Sequence, residues 1–483
     1  MDILQALTEG GSQPLLVSGD ATLTYADVLQ RVLDYAARLQ TQGVTVIALY
    51  ADNTPDWACI DLACQVAEVC CIPIPLFFSE QQIQHTLAQA AVQLILTDRP
   101  AQLAALIPTQ AGAIQIGVLM GIPLANQVVD TPYPDRTQKI TFTSGSTGTP
   151  KGACLSVTQQ WAVAKSLYDA IGESSVRHLC VLPLSTLLEN IAGIYAPIIS
   201  GGSIHLLPLS QLGFNGSAEF DLQQLLQTIT EVQPTTLILL PQLLLGLVGA
   251  IQQGWQAPSS LQYIAVGGGK TAPTLLQAAA HVGLPVYEGY GLSECASVVS
   301  LNTATVHKIG SIGQPLSHTQ VRIDEGEIVV TGHTFLGYLN EPESWYPAEV
   351  RTGDLGHFDE AGYLYIQGRA KNLLVSSFGR NINPEWVESE LLSGAMLQQC
   401  VVFGDSQPYC TALLSPRDPA CTDEQIQQWV DHVNQHLPDY ARVIKWFRLP
   451  SPLSAEAGLL TDNGRPRRTH IGKHYDQAIN ALY

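Results

Sequence analysis

Apolar and polar positions alternate between two periods along most of this chain. Thr24 can cap a helix, with Asp27 three residues on, and Val28, Leu29, Val32, Ala36 and Leu39 then recur at helical spacing until Gly43 stops the run. Val46 to Tyr50 is a short apolar run of strand length. Pro55 opens a helix predicted through Ala67, Cys70 to Ile74 reads as a strand, Glu80 to Ala90 as a helix and Val92 to Leu96 as a strand. Strands are predicted again at Leu179 to Leu182, Thr236 to Leu240, Tyr263 to Val266 and Pro285 to Tyr287. The greasiest run, Leu237 to Ile251, is broken by Pro241, Gln242 and two glycines; it is too short to span a bilayer and reads as a buried strand followed by a helix. Strands alternating with helices predict an α/β architecture with layered, largely parallel sheets.

The texture changes after about residue 318. Val321 to Ile323 and Glu327 to Val330 flank Asp324-Glu325-Gly326, which predicts a hairpin, and Tyr363 to Ile366 is one more short strand. Gly368 to Asn372 is a charged, small-residue passage suited to a boundary.

Composition narrows the function classes. The chain has 483 residues, 46% of them hydrophobic and 13% charged, enough apolar material for a large core and too little charge for disorder. Its formal net charge of −19 disfavours a general nucleic-acid binder, so an anionic ligand must be met by local cations. The ten cysteines contain no C-x-x-C pair and several sit in apolar runs, the pattern of small buried hydrophobes in a reducing compartment. The N-terminus carries neither a basic segment nor a long apolar one, so a secretory leader is not expected and a cytoplasmic location is. His432 and His436 lie four apart with no acidic or cysteine partner close by, as on a solvated helix face.

Three stretches carry chemistry. Ile140 to Gly152 leaves an apolar strand and becomes a loop of glycine and hydroxyl residues with one cation, Lys151. Such a loop turns backbone N–H groups and hydroxyls toward phosphate oxygens, although the Walker A spacing is absent. Tyr287-Glu288-Gly289-Tyr290-Gly291-Leu292-Ser293-Glu294 follows a predicted strand, at the end where α/β folds bind ligands. There Tyr290 offers a face for a base, Ser293 a hydroxyl for a phosphate and Glu294 a hard oxygen for Mg²⁺. In Arg351-Thr352-Gly353-Asp354 the aspartate fits a turn-capping role and a ribose-binding role equally well.

Taken together these motifs resemble, in order and spacing, the adenylate-forming superfamily of acyl-CoA synthetases, luciferases and peptide-synthetase adenylation domains, and the resemblance covers nearly the whole chain. Leu182-Pro183-Leu184-Ser185-Thr186 with Glu189, and Ser376 to Pro384, resemble segments of its long-chain fatty acyl-CoA synthetase branch, with Thr186 where that branch usually has histidine. The resemblance implies a large N-terminal adenylation domain, residues 1–369, with parallel sheets and a small barrel-like subdomain, then a small mobile α+β lid, residues 370–483. It implies attack of a carboxylate on Mg-ATP to give an acyl adenylate, then transfer to a thiol, of CoA or of a carrier protein's phosphopantetheine, with a hydroxyl in ring closure as an alternative acceptor. By resemblance Thr143, Ser144, Gly145, Ser146, Thr147, Gly148 and Lys151 hold phosphates, with Thr147 and Lys151 also catalytic. Gly267, Gly268, Glu288, Gly289, Tyr290, Gly291 and Ser293 build the nucleotide wall, with Gly269 beside them. Glu294 is catalytic through Mg²⁺, Asp354 takes the ribose hydroxyls, Arg369 sits near ribose and phosphates, and Lys371 is the hinge. Gly379 lies on the thiol side. Leu184, Leu187, Leu188 and Gly268 line an acyl pocket favouring a fatty or other apolar acid, a reading that core packing of the leucines matches equally.

One departure is consequential. The family's catalytic lysine position near the C-terminus is occupied by Arg465, in Thr461-Asp462-Asn463-Gly464-Arg465-Pro466-Arg467-Arg468. Arginine keeps the charge but changes plane and reach. Arg465 can do the lysine's work, Lys473 can reach in instead, or the chain binds nucleotide and acyl groups without adenylation. The cluster Arg465, Arg467, Arg468 and Lys473 could dock an acidic acyl carrier protein or CoA phosphates, or be a solvated terminal helix.

Overall fold

The computed structural model describes residues 3–108, 112–124, 132–143, 150–173, 176–215, 219–461 and 464–483. The first helix read from the sequence forms as Tyr25–Gln42. Thr24 accepts from the N–H of Asp27 while Asp27 accepts from the N–H of Thr24, and Gly43 closes the far end in the left-handed conformation. Its stripe Val28, Val32, Ala36 and Leu39 is buried.

The N-terminal part is built on two large sheets. Nine strands form one, in the spatial order Gln314–Pro315, Ser300–Leu301, Val286–Tyr290, Tyr263–Val266, Thr236–Leu239, Arg177–Leu179, Ser203–His205, Pro14–Ser18, Ala21–Thr24, with parallel pairing from Val286–Tyr290 to Pro14–Ser18. Eight strands form the other, its centre the parallel set Lys139–Thr143, Cys70–Pro73, Val46–Tyr50, Leu94–Thr97. Both faces of central strands such as Val46–Tyr50 and Leu94–Thr97 are covered, which is why they read as continuous apolar runs rather than alternating ones. Between the layers Lys139 and Asp61 are both fully buried and paired at 2.8 Å, with Tyr195 donating to Asp61 at 2.6 Å. That network ties the second sheet to the helices beside the first.

The region expected to be barrel-like is a four-stranded antiparallel sheet, Thr319–Asp324, Glu327–Gly332, Val350–Phe358, Leu364–Arg369, the first two being the predicted hairpin. A smaller C-terminal unit follows, with the three-stranded sheet Leu397–Phe403, Cys410–Pro416, Val443–Arg448 and the helices Pro384–Leu392, Asp423–Asn434 and Arg468–His474. Its apolar cluster, with Val387, Leu391, Ile426 and Val430, is its own. All ten cysteines are free and nine are buried, as the composition implied. His432 and His436 are exposed neighbours with no metal-binding partner beside them among the described residues. No helix of the described residues is long and apolar enough to cross a membrane.

Most boundaries shift by a residue or two, as at Leu94–Thr97 where Val92–Leu96 was expected, and two of the differences shape the site. The strand expected at Leu179 to Leu182 ends at Leu179, and the chain turns toward a cleft. Glu189 captures the N–H of Leu182 at 3.2 Å, and Pro183 has no N–H to give a ladder. The strand expected at Pro285 to Tyr287 runs instead as Val286–Tyr290, because Gly289 and Tyr290 pair with Leu301 and Ser300.

Candidate active site

The chemistry-bearing segments meet in a single cleft of about 2270 Å³, at the C-terminal ends of the parallel strands and under the C-terminal unit. Thr143 and Lys151 are partners at the mouth of a hairpin, so the glycine-rich loop springs from two paired strands. Ser144, Gly145, Ser146, Thr147 and Gly148 lie outside the described residues. Lys151 lines the cleft, pairs with Glu341 at 2.7 Å and stands 4.9 Å from the centre of the Tyr338 ring.

Gly267, Gly268 and Gly269 follow the strand Tyr263–Val266 and form one wall. Glu288, Gly289 and Tyr290 end the neighbouring strand. A Cβ on Gly291 would lie 1.5 Å from the carbonyl oxygen of Ser297, so only glycine lets the chain turn there and present Ser293 and Glu294. The hydroxyl of Tyr338 donates to Glu294 at 2.6 Å. Glu288 is buried, and desolvation pushes its carboxyl up to about 7 against the opposing pull of Lys270 and Thr271.

Asp354 lies within the strand Val350–Phe358, directly opposite Arg369 on the next strand. One carboxylate oxygen meets the Arg369 guanidinium at 2.7 Å, and the other accepts from the Tyr290 hydroxyl at 2.5 Å. Burial raises the Asp354 carboxyl while Arg369 opposes the rise. Lys371 also borders the cleft, its ammonium pushed down by burial and by Arg369.

Arg465 comes from the C-terminal unit and spans the cleft. Its Nη2 donates to the carbonyl oxygen of Gly268 at 2.6 Å, beside Asp354 and Arg369. Much of the residue is exposed, but its charged end is sunk in the cleft, where burial and Arg369 lower its pKa and Asp354 opposes that.

Leu184, Gly379 and Lys473 are not among the residues that line this cleft. Leu184 is 1% exposed inside the main apolar core rather than on the cleft, because Asn53 holds its N–H at 2.8 Å and turns its backbone inward. Leu187, Leu188 and Thr186 do line the cleft. Gly379 sits in the turn between Leu374–Val375 and Asn381–Ile382, away from the cleft lining. Lys473 is exposed in the last turn of Arg468–His474 and does not border the cleft. Sequence reasoning missed the partners Tyr338 and Glu341, and also the pair His178–Glu189 at 2.9 Å, with Thr236 on the other ring nitrogen. His178 and Thr236 are among the residues lining the cleft. Sequence separations from 11 to 190 carry no local signal for such contacts.

Residues 5–339 match the AMP-binding enzyme family, and residues 371–483 match the AMP-binding enzyme C-terminal domain. The chain belongs to the AMP-binding enzymes. It is similar to the 2-succinylbenzoate–CoA ligase of Bacillus licheniformis, 27% identical over 413 residues, 80% of this chain and 83% of that one. It is also similar to the long-chain-fatty-acid–CoA ligase FadD15 of Mycobacterium bovis, 24% identical over 567 aligned positions, 95% of this chain and 92% of that one. Among solved structures, its fold matches O-succinylbenzoate coenzyme A synthetase from Bacillus subtilis with ATP and magnesium ion (TM-score 0.77, 22% identity, 97% of this chain and 98% of that one). The anthranilate CoA ligase AuaEII with anthranoyl-AMP matches at TM-score 0.83, 16% identity, 100% and 98%. This AMP-binding enzyme therefore shares the two-part fold of AMP-forming acid–CoA ligases.

Proposed function

We propose that this AMP-binding enzyme activates a carboxylic acid with Mg-ATP as an acyl adenylate, releasing pyrophosphate, and then passes the acyl group to the thiol of CoA with loss of AMP. The observation that carries the reading is Arg465, delivered by the C-terminal unit to the glycine wall beside Asp354, Arg369 and Tyr290. Attack of one anion on another needs that kind of fixed cation and alignment. Tyr290 would stack on adenine, Asp354 would take the ribose hydroxyls with Arg369 alongside, and Lys151 with the loop from Thr143 would hold the β- and γ-phosphates. The hard carboxylate oxygens of Glu294 suit Mg²⁺, which supplies charge neutralisation of the phosphates. The domains divide at 369/370, and Lys371 is the hinge about which the small domain turns between the half-reactions.

The acid is an aryl acid with a second polar group, of the 2-succinylbenzoate kind. The relatives of that name support this, and so does an acyl branch whose apolar walls, Leu187, Leu188, Ala192 and Ile238, are interrupted by Thr236 and His178. FadD15, aligned over 95% of this chain, favours a fatty acid as the second reading. Pyrophosphate release without thiol, measured over 2-succinylbenzoate, other aryl acids and fatty acids with mass detection of the adenylate, separates the two. Release with fatty acids alone would refute the aryl assignment. Binding of ATP with no release for any acid would refute adenylation. CoA and a phosphopantetheinyl carrier protein, supplied in turn, identify the acceptor.

A further inference from the structure

Arg465 faces Thr461 across a small closed turn. The N–H of Thr461 donates to the Arg465 carbonyl at 2.7 Å, the Thr461 hydroxyl accepts from the N–H of Arg465 at 3.0 Å, and the N–H of Arg467 returns to the carbonyl of Leu459 at 2.8 Å. Arg465 Nη2 joins the turn to the large domain at the carbonyl oxygen of Gly268, 2.6 Å away. Three residues on, another arginine anchors the root of the turn inside the C-terminal unit. Arg468 opens the helix Arg468–His474 and turns inward, its side chain only 14% exposed. Its two terminal nitrogens grip the two oxygens of Glu388 at 2.7 and 3.1 Å, and it also donates to the carbonyl of Val402 at 2.6 Å. Glu388 in turn accepts from the N–H of Val402 at 2.7 Å.

The helix that carries Glu388, Pro384–Leu392, is itself seated against the large domain. Two residues on, Glu390 accepts from the hydroxyl of Thr274, which begins a helix shortly after the glycine wall touched by Arg465. One short helix thus contacts the large domain through Glu390 and holds the root of the Arg465 turn through Glu388.

We propose that Arg468 and Glu388 are a positioning pair for adenylation: they set how far Arg465 reaches into the cleft, without touching substrate. The inference rests on the reading of Arg465 as the adenylating cation. A buried ion pair is seldom a net source of stability, but a two-toothed arginine–carboxylate fork fixes orientation, and a displacement of about 1 Å at a reacting centre can cost on the order of 100-fold in rate.

The test uses the full chain with Arg468→Lys, which loses the planar fork, and Glu388→Gln, which keeps the shape and loses the charge. Two rates are read: acid-dependent pyrophosphate release without thiol, and thioester formation from supplied acyl adenylate and CoA. The proposal expects the first to fall by on the order of 100-fold and the second to be unchanged. A merely structural pair would lower both together, and that result, or unchanged pyrophosphate release in either folded variant, overturns it. If Arg468→Lys does not fold, Glu388→Gln carries the test. Arg465→Ala runs alongside: normal adenylation by that variant means the reading of Arg465 has failed, whereas its loss with normal Arg468→Lys and Glu388→Gln rates means the pair alone has.

Discussion

At the scale of single residues, two side chains give the sharpest expectations. Arg465→Ala should abolish pyrophosphate release while ATP still binds, measured by calorimetry, because the side chain reaches Gly268 and the Asp354–Arg369 pair from outside the large domain. Arg465→Lys restores the usual family residue and should keep or raise that rate. Glu288 makes stability depend on pH. Its carboxyl rises from an ordinary 4.5 to about 7 in the folded chain, so the neutral form is favoured by folding. This contribution is fully present below about pH 4.5 and is lost as the pH climbs through about 7, on the order of 3 kcal/mol in all. Urea unfolding of Glu288→Gln should therefore decline less than the native chain between about pH 5 and pH 8. An equal decline in both would show that Glu288 ionises as readily in the folded chain as in the unfolded one. Residues within motifs were legible because local geometry demands them, as Gly291 shows. Leu184 stayed open between core and cleft because a leucine on an apolar segment points equally well into either, and a hydrogen bond from its N–H to distant Asn53 decides which.

At the scale of elements, legibility followed local order. Capped helices and continuous buried strands were read almost to the residue, since caps and apolar runs are written nearby in sequence. The stretch from Leu179 to Tyr195 was not. Its strand is cut short by Glu189, and the following helix loosens into a π-turn over Ile191–Tyr195. Gly193 in that turn leaves room for the buried pair: a Cβ there would stand 2.6 Å from Glu189 Oε1 and 2.9 Å from His178 Nε2. Gly193→Ala should thus destabilise the protein by about 1–3 kcal/mol through overpacking and disturb the acyl branch. Thermal unfolding and the KM for the acid read both effects. An unchanged midpoint with unchanged KM would mean that the π-turn shifts freely.

At the scale of the whole molecule, two units share one site. The order of motifs along the chain was visible in the sequence. The contact that closes the site, between Arg465 and Gly268 across 197 positions, was not, because it depends on how the units dock. If the small domain must turn about Lys371, fixing that residue should split the half-reactions. Lys371→Pro, which locks one backbone angle, should leave pyrophosphate release largely intact and slow thioester formation from supplied acyl adenylate. Equal rates to the native chain in both assays would remove Lys371 as the hinge.

Whether Arg465, in place of the usual lysine, drives adenylation in this AMP-binding enzyme is decided by acid-dependent exchange of labelled pyrophosphate into ATP, without thiol, in the native chain and in Arg465→Ala. Exchange is expected in the native chain and none in the alanine variant, with ATP bound by both. Exchange that survives in Arg465→Ala, or a native chain that binds ATP and exchanges nothing with any acid, would rule out Arg465 as the adenylating cation.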